Sequence, residues 1–167
     1  MPDRQLDEKK FTELVLYVAD KCESDPRFGT TKLNKILYFA DFTAYVDFGQ
    51  SITGAKYKKR PYGPLATPMV PIQKELEMQG DLKLKDASWY GYPQKKPVSL
   101  RPANLSLFSG PEIALVDRII DSLKGLDASQ VTYLSHQDWG WKLAAEGEVI
   151  PIETAFIEEI ETVEPAD

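Results

Sequence analysis

The apolar positions of the first fifty residues fall into two helical stripes. Phe11, Leu14, Val15, Val18 and Cys22 share one face while Glu13, Asp20 and Lys21 lie off it, which predicts a helix from Asp7 to Cys22. Ser24-Asp25-Pro26 stops it, because a proline disfavours helix in the residue before it. Beyond the Phe28-Gly29 loop, Leu33, Ile36, Leu37, Ala40 and Ala44 form a second stripe, capped at Thr30 or Thr31 and ended by Gly49 after Phe48. Tyr38, Phe39, Phe42, Tyr45 and Phe48 make this helix apolar on more than one side, so it is expected at the centre of the core.

The pattern changes at Ser51. Ser51 to Lys59 reads as a loop entering an extended stretch, and Pro61-Tyr62-Gly63-Pro64 fixes a turn. Pro61, Pro64, Pro68 and Pro71 crowd the start of a third helix. Thr67-Pro68 offers a cap with a first-turn proline, and Ile72 to Gln79 is its firm part, closed by Gly80. Leu82 to Lys85 and Pro97 to Arg101 alternate as strands do, with Trp89 and Tyr90 in a long hairpin arm between them. Ser109-Gly-Pro-Glu112 is a capping box opening a fourth helix, whose stripe is Ile113, Val116, Ile120 and Leu123, with Gly125 at its end. A second box, Asp127-x-x-Gln130, opens a fifth helix carrying Val131 and Leu134 up to His136. Trp139 to Ala145 is a short helix, and Ile152 to Ile160 a last acidic turn or helix with Ile152, Phe156 and Ile160 facing inward.

The fold class is therefore mainly α (α+β): a compact helical core with a small β-hairpin or wing. Helix, helix, extended segment, helix, hairpin is also the order of a winged-helix domain, a likeness of order that does not by itself imply DNA binding. A single domain over residues 1–147 and an acidic C-terminal segment over residues 148–167 are expected. The net charge of −6 belongs to that segment, which holds seven acids and no base, leaving 19 acids against 20 bases before it.

Composition excludes several function classes. No run approaches the ~18 apolar residues of a membrane span. The start, MPDRQLDEKKF, is charged and has no apolar region after it, so no secretory leader is expected, and the single cysteine, Cys22, allows no internal disulfide. These features point to the cytoplasm. There is no G-x-G-x-x-G, phosphate-binding P-loop, H-E-x-x-H or G-x-S-x-G pattern, and one histidine cannot form a histidine metal cluster. Cys22 lies on the apolar face of the first helix, where a structural role is the default. No enzymatic activity, cofactor or metal is expected.

Against the acidic total stands a basic, aromatic cluster: Lys56, Tyr57, Lys58, Lys59, Arg60 and Tyr62. It reads as a solvated edge strand that lysines protect from aberrant pairing, as a nucleic-acid phosphate contact with tyrosines beside it, or as a patch for an acidic protein partner. Four bases make a small footprint for nucleic acid, which is not expected to be the principal partner. His136 is read as bonding the end of the fifth helix with Trp139 and Trp141 packed behind it. The acidic end reads as a solubilising tail, an amphipathic helix, or a phosphate mimic that covers a basic surface on a partner.

Lys32-Leu33-Asn34-Lys35-Ile36-Leu37-Tyr38 followed by Tyr62-Gly63-Pro64 resembles the Panacea domain, the SocA-like antitoxin family. Gly49-Gln-Ser-Ile-Thr-Gly-Ala-Lys-Tyr57 is similar to that family's glycine-x-x-isoleucine-threonine-glycine-x-x-tyrosine variant, and Leu76-x-x-x-Gly80 and Leu134-Ser-His136 with Trp139 also match. The resemblance spans about residues 32–139; Pro68 and Pro71 depart from it, where the family continues a regular helix. It implies an antitoxin that neutralises, by direct binding, a toxin encoded by an adjacent gene. Lys56 to Tyr62 with Trp89 and Tyr90 are the expected contacts, and Lys32, Leu33, Leu37, Tyr38, Gly63, Pro64, His136 and Trp139 the structural motif. The alternatives are a winged-helix-like DNA-binding regulator and a phage- or mobile-element-associated protein of the same family without a toxin.

Overall fold

The computed structural model describes residues 2–89, 91–127, 130–131, 134 and 138–157, with the backbone alone at Trp89 and Tyr92. Its axis is α2 (Thr30–Phe48), whose Leu33, Ile36, Leu37, Tyr38, Ala40 and Ala44 are all buried. Against it pack α1 (Glu8–Lys21) and α4 (Gly110–Leu123), and on it rests the hairpin of β1 (Tyr57–Arg60) and β2 (Gly63–Ala66). Helix α3 (Met69–Gln79) follows, then the wing of β3 (Leu82–Trp89) and β4 (Tyr92–Ser99). A short α5 (Trp139–Leu143) and a 3-10 turn at Ile152–Phe156 close the described chain.

Local sequence explains most of the boundaries. Asp7 caps α1 by accepting from the Lys10 N–H at 3.0 Å, and Ser109 and Glu112 form the reciprocal capping box of α4. The second box forms as well: the Asp127 and Gln130 side chains each accept from the other's backbone N–H at 2.9 Å. Most of the expected fifth helix, including His136, lies outside the described residues, as does the chain beyond Ile157. Two expected caps are corrected. Gly29, not a threonine, is the N-cap of α2 and gives it no side-chain bond, and α3 starts at Met69 after an uncapped Pro68.

The strand pairing also differs from a winged helix. The extended segment folds back on itself: Tyr57 pairs with Ala66 and Arg60 with Gly63 about the turn Pro61-Tyr62, and this ladder is separate from that of β3 and β4. The wing has its own anchors. Lys96 donates to the carbonyls of Glu23 and Asp25 at the end of α1, and Gln94 to that of Pro26. At its base the Arg101 guanidinium grips both Glu13 oxygens at 2.7 Å and reaches Asp81 at 3.1 Å. Glu13 is thus buried, and the guanidinium holds its carboxyl below the usual range.

Part of the acidic C-terminal segment packs back onto the body of the protein. Ile150 is 2% exposed and belongs to the core, and the residues around it pair with β1. Of the residues read as facing inward there, Ile152 is half-buried, while Phe156 is 56% exposed with one edge against the Tyr45 ring, 5.2 Å between centroids.

Candidate partner-binding surface

The face of α2 that meets the hairpin is polar at four positions: the adjacent Asn34 and Lys35, then Tyr38 and Asp41, each about a turn further on. All four are buried, so each must be satisfied within the protein. Asn34 accepts from the Ala66 N–H at 3.0 Å, which ties β2 to the helix, and donates to the Thr30 carbonyl. Tyr38 donates to the carboxylate of Asp138, the cap of α5. Burial and this carboxylate push the Tyr38 hydroxyl well above its ordinary range.

Asp41 organises the approach to the hairpin. It is fully buried and accepts from the Ile52 and Thr53 N–H groups at 3.0 and 2.9 Å, and from the Thr53 and Tyr57 hydroxyls at 2.6 Å each. Burial raises its pKa, against the pull of these donors. The loop it serves, Ser51 to Ala55, is itself buried, and a buried loop carries polar backbone that must be paired. Here every N–H from residue 51 to 55 finds a side chain. Asp3 accepts from Ser51 N–H at 2.8 Å, the Ser51 hydroxyl from Gly54 N–H at 3.0 Å, and the Thr53 hydroxyl from Ala55 N–H at 3.1 Å. Gly54 has φ +74°, and a Cβ there would overlap the Gln5 carbonyl. The isoleucine-threonine-glycine-x-x-tyrosine run is the set of groups that allows this loop to be dry. Sequence reading missed Asp41; the available signal was an acid amid the apolar run Leu37 to Ala44.

The hairpin turn is locked to the Lys32–Tyr38 helix through Gly63. Its φ is +127°, and a Cβ would overlap the Lys35 Cε, so only glycine lets the turn close over that buried lysine. Burial lowers the Lys35 amine to about 8. Lys32 is buried too, paired with Asp25 at 2.7 Å and donating to the Leu126 carbonyl at 2.9 Å. Leu33 and Leu37 are core, and Pro64 is buried in β2.

The basic cluster splits by strand alternation. Tyr57 points inward and is fully buried on Asp41, so its expected role as an exposed contact is corrected. Lys59 also turns inward. Its amine donates to the carbonyls of Trp141 and Ala144 at the end of α5, at 2.8 and 3.1 Å, and lies 4.8 Å from the Trp141 ring centre. Lys56 and Arg60 are exposed, Lys58 is half-buried, and Tyr62 at the turn is 77% exposed. The expected free edge is covered: Lys59 N–H donates to Glu148, Gly147 to Lys59 and Ile150 to Tyr57. Trp139 sits at the start of α5 with the Lys142 amine 4.8 Å from its ring centre. Tyr90 and the Trp89 side chain, expected beside this surface, lie outside the described residues.

Among the described residues no cluster of three or more His, Cys, Asp or Glu is placed to hold a metal ion, and no helix is long and apolar enough to cross a membrane. Cys22 is buried and its thiol is pushed up to about 12, as befits a packed rather than a reactive group.

These features define a small α+β domain in which a dry loop and a glycine turn fix a basic hairpin on a central helix. The model of the family described as antitoxin SocA-like, Panacea domain, matches residues 33–142, and the chain belongs to that family. The matched span runs from the first turn of α2 through both hairpins and into α5. Neither a curated protein nor a solved structure matches the chain.

Proposed function

We propose that this protein is an antitoxin that neutralises a toxin encoded by an adjacent gene, through direct protein–protein binding and without chemistry of its own. The observation that carries the reading is membership of the SocA-like antitoxin family over residues 33–142. The geometry supports a binding role. The hairpin that exposes Lys56, Arg60 and Tyr62 is held by buried bonds to α2 and α5, and such preorganisation lowers the ordering cost of association. Nucleic acid fits less well as the principal partner. The helix before the wing, α3, which stands where a winged helix carries its reading helix, exposes Glu75 and Glu77 beside a single Lys74.

The test is co-expression with the neighbouring gene. Growth arrest by that gene should be relieved by the full chain, and the two proteins should co-purify. Arrest that persists, with no complex recovered, overturns the assignment.

A further inference from the structure

The backbone bonds between residues 147–150 and β1 place β1 between that segment on one side and β2 on the other. Lys58 is the middle of one row across the three: it pairs with Leu65 on β2 and bridges to Val149 on the other side. Paired residues of a ladder project from the same face, so Leu65, Lys58 and Val149 lie side by side. Alternation places Lys56 and Arg60 on the same side as Lys58, about 6.6 Å to either side along the strand. Val149 is 39% exposed and Leu65 half-buried. This face is thus a short apolar bar crossed by a row of three cations, with Tyr62 at one end. Glu148, the adjacent acid, is turned back on the Ala145 N–H. At the Lys56 end of the row opens a groove of about 680 Å³, lined by Lys56, Val149, Phe42, Ile150 and Ile152 and also by the acids Asp3, which accepts from Ser51, and Glu153.

We propose that this face, with the groove beside it, is the docking surface for a protein partner, and that the partner presents an apolar anchor side chain flanked by aspartate or glutamate. The inference rests on the antitoxin reading and deepens it by placing the contact and naming the chemistry of what it meets. Three cations at strand spacing complement carboxylates rather than a neutral surface. The apolar bar and groove give an anchor somewhere to be buried, the arrangement that carries most interface energy. The dry loop and the Lys35–Gly63 contact hold the face in one pose, and residues 147–150 belong to it although the family match ends at residue 142.

The experiment measures affinity between the full chain and the purified product of the adjacent gene. Lys58→Glu, Arg60→Glu and Val149→Glu are compared with Lys85→Glu on the wing, each checked for an unchanged denaturation midpoint. Arg60 is exposed, so its variant keeps the test open should Lys58→Glu fold poorly. The expected result is a loss of about tenfold or more for each face variant, within about twofold of wild type for the wing variant, and weaker wild-type binding at higher salt. A complex that forms with wild type and is equally tight with the folded face variants overturns this face while leaving the antitoxin reading intact. Absence of any wild-type complex overturns both. Displacement of the partner by a random-sequence DNA duplex at physiological salt overturns an acidic protein as the occupant.

Discussion

Lys35 lies in the core beneath the hairpin turn, and its charge is what the fold works against. Burial lowers its amine from the ordinary 10.5 to about 8. Between those values the unfolded chain still holds a proton that the folded chain has released, so stability rises with pH across that window. Below about 8 both states are charged and the burial cost is present in full; above 10.5 both are neutral and it is gone. Lys35→Met removes the titrating group. The stability of this variant relative to wild type should be greatest below pH 8 and fall steadily towards pH 10.5. Urea denaturation of both proteins at three pH values in this range checks it; a difference that does not change with pH would show that the amine is not held in a desolvated site. Most residues of the neighbouring motif were readable beforehand as apolar stripe. Asp41 and Lys35 were not, because single-sequence periodicity records which side of a helix is apolar and cannot say that an acid or a lysine on that side is matched by donors or by a glycine far along the chain.

At the scale of elements, Gly63 of the hairpin closes directly over Lys35 of α2, so the pair should not behave as two independent positions. Gly63→Ala places a side chain at φ +127° and against the Lys35 Cε, a combination of backbone strain and overlap expected to cost about 1–3 kcal/mol. Shortening the lysine removes the overlap but not the strain. A double-mutant cycle of Gly63→Ala with Lys35→Ala should therefore give a coupling of about 0.5–1 kcal/mol, the overlap part of the loss, the double variant being more stable than the two single losses predict. Strict additivity in denaturant melts would mean that the turn does not rest on the lysine. The helices were legible because caps and stops are local: Ser109 with Glu112, Asp127 with Gln130, and Gly49 all act where their chemistry predicted. The pairing of the extended segment was less so. Alternation marks Leu82 to Lys85 as a strand, whereas Gly63 to Ala66 is four residues with a proline, and what holds it is Asn34 on a helix about thirty positions earlier.

For the whole molecule, composition suggested a body ending at residue 147 and an acidic appendage after it, and charge counting cannot distinguish an appendage from a strand that happens to be acidic. The structure hydrogen-bonds residues 147–150 alongside β1 and puts Ile150 into the core. The part of the candidate site legible in the sequence was the outward half of the basic strand and its turn; Val149 was invisible there because nothing local ties it to Lys58. A chain ending at residue 147 loses the burial of Ile150, about 1.5–3 kcal/mol. It also loses the backbone bonds from Lys59 N–H to Glu148 and from Ile150 N–H to Tyr57, about 0.5–1.5 kcal/mol each. Relative to a chain ending at residue 157, it should unfold at a markedly lower denaturant concentration, with Tyr57 and the cover of β1 newly open to solvent. Because the same residues border the proposed docking face, the shorter chain should also lose rescue of growth even under conditions where it remains folded. Equal midpoints for the two chains would return residues 148–157 to the role of an appendage. Rescue by a folded chain ending at residue 147 would confine the contact to the hairpin itself.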